Sequence, residues 1–485
     1  MAMGDSMKCQ TLPVHVFDSS ALNRSMVVTG LLKYRAVLDA NKLRDSLIRL
    51  LHIDNWSKIR GRLRSDHAGK LTIVVPPATS ERPAIRYKHT KHDMLIGQHA
   101  TISQIATSTN VSAIQPSIGD IEGIQSELVP QDWPRTLADF TNVQGDEPIL
   151  GLHIISFSDV TIMVLRFSHV LMDGGGMGSF FTAWSSVMAG ELNIMPLLGA
   201  NQDPLDEIRL STEYSTPFVL ANQKINNSAL MPGLSSEIVQ QLDPDWDSAS
   251  SETRWRMISL SQKATVSLVK EAHDSLPKGD GSPPFISEDD ITSAWFYRTI
   301  ARTVQESRAM NNYRVYDLRN RLDVFKPDAA YIQNVFGLVW TLGLSAGEIA
   351  TASLGQLAIS LRESIKQQTC PEQAIAAMKE REDGVSPLYG DPEGLCSMVN
   401  SWDQMKMYQI ADFSPAVVED SAAGASEETG AAGRPDLIDF DFGLGQAPGP
   451  TVTWSGKDVY GTRHGITFLS SVMWPGFEEE LQRLG

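Results

Sequence analysis

The sequence predicts an α/β protein with two domains, and three observations support this fold class. The chain has 485 residues, which exceeds the size that one hydrophobic core usually supports. Short apolar runs typical of strands alternate with segments of helical periodicity in both halves of the chain. A stretch rich in Asp, Ser, Pro and Asn, with little periodicity, separates the two halves. We therefore expect a first domain at 1–205, a crossover at 206–252 and a second domain at 253–485.

The first half begins with one helix and one strand. Leu43, Leu47 and Leu50 recur at helical spacing within 36–53, which predicts an amphipathic helix. The run GKLTIVVP at 69–76 has the β-branched composition of a strand.

Two later apolar runs, at 149–157 and 160–167, predict a β-hairpin. Ser158 and Asp159 lie between them, and both residue types favour tight turns. The second run should therefore pair with the first and end close to residue 168.

The stretch FSHVLMDGGGMGSFF at 167–181 predicts a transition from strand to helix. His169 follows the second run of the hairpin, Asp173 comes four positions later, and a series of glycines begins there. Phe180 and Trp184 then lie on one face of a helix.

The second half shows a similar alternation. Ser287 and Asp290 form a capping box, which predicts a helix start. Strands are expected at 313–322 and 331–344, followed by a helix at about 346–366.

A low-complexity segment at 414–436 consists mainly of small and acidic residues. Such residues bury too little apolar surface to offset the entropy of ordering. We expect a mobile acidic insertion there, just before the sequence DFDFGLG.

Composition excludes several functional classes. Acidic residues outnumber basic ones by 58 to 41, and the formal charge is −17. This charge would repel nucleic acids and anionic membranes, so neither is an expected partner. The beginning of the chain lacks the apolar core of a signal peptide, and no run of about 18 apolar residues is present. Three scattered cysteines fit a reducing compartment, so the expected location is cytoplasmic.

One histidine-rich stretch contains His89, His92 and His99. Lysines lie between these histidines, and no cysteine or further carboxylate stands at ligand spacing. A solvated face is the better interpretation, and no metal site is expected.

His169 is the candidate for acid–base chemistry. Histidine has the side-chain pKa closest to neutrality, so it can accept a proton from a hydroxyl group and release it later. The end of a strand would hold the ring rigidly, and the glycines would let the backbone pass close to a substrate. Asp173 could orient the ring, or it could bind an arginine and hold the loop in shape. The spacing H-x-x-x-D by itself does not decide between these roles.

Five motifs in order give the chain a resemblance to a known family, the BAHD acyltransferases. It resembles in particular the fungal-type members of this family that act in secondary metabolism. HVLMDGGG resembles the family signature H-x-x-x-D-G, and DFGLG resembles D-F-G-W-G, with Leu444 in place of tryptophan. The other three are the G-R-L-R stretch with its following strand at 56–76, DLRNRL at 317–322 and NSW at 400–402.

The resemblance implies a fold of two chloramphenicol acetyltransferase-like domains. Each domain would be a mixed β-sheet flanked by helices, with a solvent channel between the domains. It also implies a monomeric enzyme without a permanently bound cofactor. Acyl-CoA would be the co-substrate, and a small natural-product acceptor would enter the channel from the opposite mouth.

The resemblance also assigns roles to individual residues. His169 would be the general base, and Asp173 would be structural, paired with Arg319 or Arg321. Asp441, Phe442, Gly443 and Gly445 would support the channel.

A donor for the tetrahedral oxyanion should lie near His169, because such a donor typically contributes about 10²–10³ in rate. The candidates are the backbone amides of Gly174 and Gly175 and the region of Ser401 and Trp402. The sequence leaves this choice open.

Other functions also remain open. GLSAG at 343–347 matches the G-x-S-x-G nucleophile elbow of serine hydrolases, with His464 downstream. The alternative is that Ser345 caps a helix together with Glu348. The donor could also be a carrier-protein thioester, and the acceptor an amine. The same base could drive an intramolecular carbon–carbon cyclisation, or the chain could be a family member that only binds.

Overall fold

The computed structural model describes residues 9–77, 81–191, 193–225, 254–277, 283–325, 327–381, 384–418, 432–444, 447 and 449–484. These residues form an α/β structure with three sheets and flanking helices. The strands are β1 (Gln10–Pro13), β2 (Val27–Tyr34), β3 (Arg62–Ser65), β4 (Leu71–Val75), β5 (Arg86–Lys91), β6 (Ala113–Pro116), β7 (Leu150–Ser156), β8 (Thr161–Ser168), β9 (Arg254–Leu260), β10 (Ala309–Asp317), β11 (Phe336–Ser345), β12 (Leu395–Ser401), β13 (Leu437–Asp441), β14 (Thr451–Lys457) and β15 (Arg463–Leu469).

Thirteen α-helices lie within these ranges. They are α1 (Ala21–Ser25), α2 (Ala40–Leu50), α3 (Ile124–Leu128), α4 (Leu137–Thr141), α5 (Gly174–Met188), α6 (Asp206–Leu210), α7 (Gln262–Asp274), α8 (Glu288–Ala301), α9 (Ala346–Thr351), α10 (Leu354–Gln368), α11 (Pro371–Lys379), α12 (Met407–Ile410) and α13 (Trp474–Leu484). Short 3₁₀ helices occur at Asp54–Arg60, Ile96–Gln98, Ile102–Gln104, Ala221–Gln223, Asp403–Met405 and Ser414–Ala416.

The first large sheet has the strand order β13-β2-β8-β7-β5. β7 and β8 form the antiparallel hairpin that the sequence predicts, and β5 adds to β7 in parallel. Every residue of β2, β7 and β8 is buried, as in sheets that are covered on both faces. This sheet is the rigid support from which His169 emerges.

The second large sheet has the order β11-β10-β12-β14-β15-β9-β6 and is also mixed. The small third sheet contains β1, β4 and β3. The two large sheets exchange strands: β6 comes from the first half of the chain, and β13 comes from the second half. Each large sheet therefore contains one strand from the other half of the chain. The domain boundaries 1–205 and 253–485 stay a prediction.

The hydrophobic core is divided between the two large sheets. Leu43 and Leu47 of α2 are fully buried beneath the first sheet, beside Trp184 of α5. The indole nitrogen of Trp184 donates to Ser46 Oγ over 2.9 Å, so this buried polar atom has a partner. A second cluster surrounds Trp295 of α8 and supports the second sheet.

Three sequence expectations need correction at their boundaries. The strand expected at 313–322 ends at Asp317, because Asp317 accepts the backbone N–H of Arg319 and turns the chain. The strand expected at 331–344 begins only at Phe336. The helix expected at 346–366 is two helices, since Ser353 caps a new helix by bonding the backbone N–H of Gln356.

Both ends of the insertion expected at 414–436 contact the first half of the chain, and its mobility stays a prediction. Leu38 forms a β-bridge with Val417, and Arg35 holds the Asp436 carboxylate at 2.7 Å. Residues 419–431 of the insertion and 226–253 of the crossover lie outside the described ranges. No helix within the described residues is long and apolar enough to span a bilayer.

Candidate active site

His169 is the first residue after strand β8. Its backbone N–H donates to the carbonyl oxygen of Met26 over 3.0 Å, and Asn334 Nδ2 donates to its carbonyl oxygen over 2.9 Å. The residue is partly exposed, whereas Ser168 and Val170 on either side are buried. The sequence places a histidine at the edge of a rigid sheet, with its ring free to reach open space.

That open space is a central cavity of about 820 Å³. Its walls come from both halves of the chain, including Leu22 and Ile194 from the first half and Leu338 and Val399 from the second. Ligand cavities are usually mostly apolar with a few polar groups, and this cavity has both the size and the composition of such a site.

The environment of the His169 ring favours a neutral base. Nδ1 is buried without a hydrogen-bond partner, so Nε2 is the ring nitrogen that faces the cavity. Burial lowers the pKa of His169, and the negative charge of Asp173 opposes this shift only partly. The ring is therefore mostly unprotonated at neutral pH, as a general base must be.

No hydrogen bond joins Asp173 to the His169 ring; the Asp173 side chain is 8% exposed, and both of its oxygens have other partners. Oδ1 caps helix α5 by accepting the Gly176 N–H over 2.8 Å. Oδ2 accepts the Val335 N–H over 2.9 Å. Arg319 donates to both oxygens, over 2.7 and 3.3 Å.

Of the two arginines that the sequence left open, Arg319 is the one that contacts Asp173. Its guanidinium also donates to Asp317 and to the carbonyl oxygens of Tyr331 and Gln333. Burial would lower the pKa of Arg319, but the two carboxylates outweigh this effect and raise it. These contacts explain why β11 begins only at Phe336. The backbone groups just before Phe336 form hydrogen bonds with Arg319 and Asp173, so they do not pair with a neighbouring strand.

The glycines at the start of α5 are required by packing against protein atoms. A Cβ on Gly174 would lie 2.6 Å from Trp402 Nε1, and one on Gly175 would lie 2.5 Å from an Arg319 nitrogen. A Cβ on Gly176 would lie 1.9 Å from the carbonyl oxygen of Ile332. The expected approach of a substrate is thus not needed to explain these glycines.

Ser401 and Trp402 lie at the end of β12 and line the central cavity. The Trp402 ring packs edge-on against Phe440 at 4.8 Å. Its indole N–H has no acceptor among the residues described, and neither do the backbone amides of Gly174 and Gly175. Three candidate oxyanion donors therefore lie on residues that line the same cavity as His169, and Gly174 packs closely against the Trp402 indole.

The DFGLG segment follows β13 and lies beside the cavity. Asp441 accepts the Gln125 side chain and the Gly443 N–H, each over 2.8 Å. Burial raises the pKa of Asp441, whereas the Gly443 N–H and Arg166 lower it. Gly443 has a φ of +68°, which favours glycine. Gly445 lies outside the described residues.

Phe442 and Leu444 of the same segment line the cavity. The Phe442 ring centroid lies 6.3 Å from that of His169. The Leu444 carbonyl oxygen accepts the indole N–H of Trp255 over 3.2 Å. Leu444 therefore contributes backbone bonding at a position where the family usually has tryptophan.

The structure argues against Ser345 as a nucleophile. Ser345 caps α9 by accepting the Glu348 N–H, and its hydroxyl donates to the Glu348 carboxylate over 2.8 Å. His464 is instead bonded to Ser259 and Asp458, and both contacts are 2.9 Å. Ser345 does not line the central cavity.

The histidine-rich stretch forms packing contacts. His92 stacks on Phe157 at 4.8 Å, and His99 accepts the backbone N–H of Ile102 over 3.1 Å. Within the described part of the chain, no three metal-ligating side chains converge.

A side cavity of about 380 Å³ adjoins the central cavity and was missed from the sequence. The two share Asn320, Arg321, Arg362 and Ile365 in their walls. Lys366 also lines the side cavity, and no carboxylate does. The spacing of Arg362 and Lys366 on one helix face was a visible signal, but nothing in the sequence placed Arg321 beside them.

Asn334 and Asp18 were also missed. They form a buried hydrogen-bonded pair next to His169, and each is 1% exposed. Isolated polar residues carry no periodic signal, so only the fold reveals this contact.

A partly exposed histidine on a large cavity lined by both halves of the chain, near a carboxylate–arginine pair, is the arrangement that the resemblance to acyltransferases predicts. Comparisons with known proteins agree. No family model matches the chain. Acetyltransferase pyiB of Pyricularia grisea is 31% identical over 438 residues, covering 88% of this chain and 84% of that protein. O-acetyltransferase PaAT-2 of Phomopsis amygdali is 29% identical over 496 residues, covering 98% of each.

Solved structures show the same fold. F. graminearum TRI101, crystallised with coenzyme A and T-2 mycotoxin, has a TM-score of 0.67 and 15% identity, covering 98% of this chain and 100% of that one. Vinorine synthase has a TM-score of 0.58 and 14% identity, covering 100% and 95%. The chain belongs to the family of fungal acetyltransferases that includes pyiB, and it shares the fold of TRI101 and vinorine synthase. It is an acyltransferase.

Proposed function

We propose that this enzyme transfers an acyl group from acyl-CoA to the hydroxyl group, or less often the amine, of a small natural product, with His169 as the general base. The observation that carries the proposal is that His169 lines a cavity of about 820 Å³, whose walls come from both halves of the chain. Relatives named acetyltransferase and O-acetyltransferase support the reaction class.

The proposed chemistry follows from the free Nε2. It accepts the proton of the acceptor hydroxyl while the oxygen attacks the thioester carbonyl carbon. The tetrahedral oxyanion then collapses, the carbon–sulfur bond breaks, and the imidazolium returns its proton to the departing thiolate. A positioned base of this kind typically contributes about 10²–10⁴ in rate.

We assign the oxyanion to the indole N–H of Trp402 together with the first amides of α5. A helix N-terminus favours negative charge, and the N–H groups of its first turn have no partner within the helix. Replacing Trp402 with phenylalanine keeps the ring and removes the N–H. We expect kcat to fall by about 10²-fold with little change in KM; a change in KM alone would contradict this role.

The side cavity supports coenzyme A as the donor. Three cationic side chains line it in a protein whose net charge is −17. Arg362 is bound to Asp290 and Ser287, but Arg321 forms no ion pair with any residue in the described ranges. Phosphate groups of coenzyme A would find their counter-charge there, whereas a carrier protein would present only the phosphate of its pantetheine arm.

The deciding experiment is incubation of the enzyme with acetyl-CoA, alone and with a panel of hydroxylated natural products. Free thiol and product mass would be measured together. Thiol release that requires the acceptor, with one acyl group added to it, supports the proposal. Thiol release without an acceptor would indicate hydrolysis or cyclisation instead. The Arg321→Gln variant should raise KM for acetyl-CoA more than KM for the acceptor.

A further inference from the structure

Phe285 is the most exposed aromatic residue in the described part of the chain, at 70%. Its backbone has little freedom. Pro283 and Pro284 precede it, and proline fixes the backbone angle φ. Ile286, which follows, is only 5% exposed and belongs to the second core cluster, and Ser287 then caps helix α8. A restricted segment therefore presents an aromatic ring to solvent.

Arg362 connects this ring to the two cavities. The central carbon of its guanidinium lies 5.1 Å from the centroid of the Phe285 ring. The guanidinium is held from the other side, because it donates to Asp290 over 2.8 Å and to Ser287 Oγ over 2.7 Å. Arg362 lines both the side cavity and the central cavity that contains His169. Phe285 lines neither cavity, so it lies just outside the wall that they share.

Groups that can bind phosphate lie close to the ring. Lys366 stands four positions after Arg362 on helix α10, which is about one helical turn, and it lines the side cavity together with Arg321. Lys366 pairs with Glu363 over 2.7 Å, but both side chains are about half exposed. An exposed ion pair contributes little to stability, so a phosphate group can replace Glu363 at low cost.

An aromatic ring about one turn from phosphate-binding cations matches the plan of a nucleotide, in which a sugar separates the base from the phosphate. Bases stack on aromatic side chains because every base has a π face. Exposure alone would not support this match, since single exposed apolar residues are common on protein surfaces. Tyr214 shows the difference. It is 43% exposed with Lys379 over its ring at 5.6 Å, yet neither residue lines the central or the side cavity.

We propose that Phe285 is a binding residue for the acyl donor, and that its exposed ring stacks on the adenine base of coenzyme A while phosphate groups bind at Arg321 and Lys366. This inference rests on the proposed function, in which an acyl-CoA is the donor. A carrier protein presents the phosphate of its pantetheine arm without the nucleotide, so it gains nothing from the ring. Phe285 therefore favours the free coenzyme over a carrier-protein thioester.

The test measures the binding of three ligands, which requires no knowledge of the acceptor. Coenzyme A and 3′-dephospho-coenzyme A both contain adenine, whereas pantetheine 4′-phosphate does not. Their Kd values are measured by calorimetry, or by ligand-observed NMR where binding is weak. The proteins are wild type, Phe285→Ala, Phe285→Leu and Phe285→Trp, with Tyr214→Ala as the control for loss of an exposed aromatic ring beside a cation.

We expect Kd for both adenine-containing ligands to rise about tenfold in Phe285→Ala and Phe285→Leu, and to return towards the wild-type value in Phe285→Trp. Kd for pantetheine 4′-phosphate should not change, and Tyr214→Ala should match wild type with all three ligands. The adenine protons of bound coenzyme A should shift upfield in wild type and lose that shift in Phe285→Leu. If Phe285→Ala does not fold, Phe285→Leu decides.

Two results would overturn the proposal. One is an unchanged Kd for coenzyme A in the Phe285 variants, and the other is an equal loss of affinity for pantetheine 4′-phosphate, which would mean that the ring does not act on adenine. The proposed function fails in a different way. Binding of coenzyme A that depends on Phe285, without acyl transfer to any acceptor, would contradict the reaction and still support the adenine contact.

Discussion

Two histidines of this protein lie in opposite environments. His464 is 0% exposed, with Ser259 on one ring nitrogen and Asp458 on the other, each at 2.9 Å. His169 lines a large cavity, and its Nδ1 has no hydrogen-bond partner. By composition alone, His464 belongs to the more convincing catalytic set, because serine, histidine and aspartate are joined in series.

The difference teaches that access, and not the number of partners, separates a reactive histidine from a structural one. A base must come within about 3 Å of the proton that it accepts, so a sealed ring is inert however well it is oriented. The His464 network joins β15, β9 and the turn after β14, so its hydrogen bonds stabilise the second sheet. The His169 ring lacks such hydrogen bonds on Nδ1, but it lines the cavity.

The largest expected effect is a contrast between two alanine variants, of which one loses activity and the other loses stability. His169→Ala should lower kcat/KM by at least about a hundredfold and leave the melting temperature nearly unchanged. His464→Ala should have little direct effect on chemistry and should lower the free energy of unfolding by about 1–3 kcal/mol, because Asp458 loses a buried partner. Steady-state kinetics and chemical denaturation of both variants measure this. The opposite pattern would show that the comparison is wrong.

The next effect concerns the carboxylate behind His169. Asp173→Ala leaves Arg319 buried without its main partner, and breaking a buried pair costs about 3–5 kcal/mol. The free energy of unfolding from urea titration should fall by that amount, with activity lost as well. Asp45→Ala, which removes an exposed partner of Arg44, is the control and should change stability by less than about 1 kcal/mol. A fully stable but inactive Asp173→Ala protein would contradict the structural role of Asp173.

A smaller effect is expected in the pH dependence. Burial lowers the pKa of His169 from its ordinary value of 6.5. Because the unprotonated ring is the active form, the midpoint of the acidic limb of kcat/KM should lie below pH 6.5. Thermal unfolding at each pH separates this titration from denaturation. An acidic limb above pH 6.5 would mean that the ring is more strongly stabilised as a cation than the structure indicates.

The sequence predicted the parts of the fold that carry periodic signals. The hairpin β7–β8, helix α2, the capping box at Ser287 and the α/β class are all present. The comparisons confirm the family, which rested on five ordered motifs. The boundary errors at Asp317 and Phe336 arise because tertiary hydrogen bonds to Arg319 and Asp173 replaced the strand ladder.

Other features have no local signature. Strands β6 and β13 join sheets built mostly by the other half of the chain, and no periodicity within a strand encodes its partner. Asn334 and Arg321 acquire their positions only when distant segments meet. Which of Arg319 and Arg321 contacts Asp173 was undecidable for the same reason, since both stand in one short motif.

The smallest effect concerns the hydroxyl group of Ser345, which the sequence offers as an alternative nucleophile. Ser345 is part of G-x-S-x-G, yet it caps α9 and lies away from the cavity. Ser345→Ala should leave kcat/KM unchanged and lower the free energy of unfolding by about 1 kcal/mol, the usual cost of losing an N-cap hydroxyl. A fluorophosphonate probe should likewise leave wild type unlabelled at Ser345, as read by peptide mass. Labelling there, with loss of activity, would move the chemistry from His169 to a serine hydrolase site, and the contrast between the two histidines would no longer explain the enzyme.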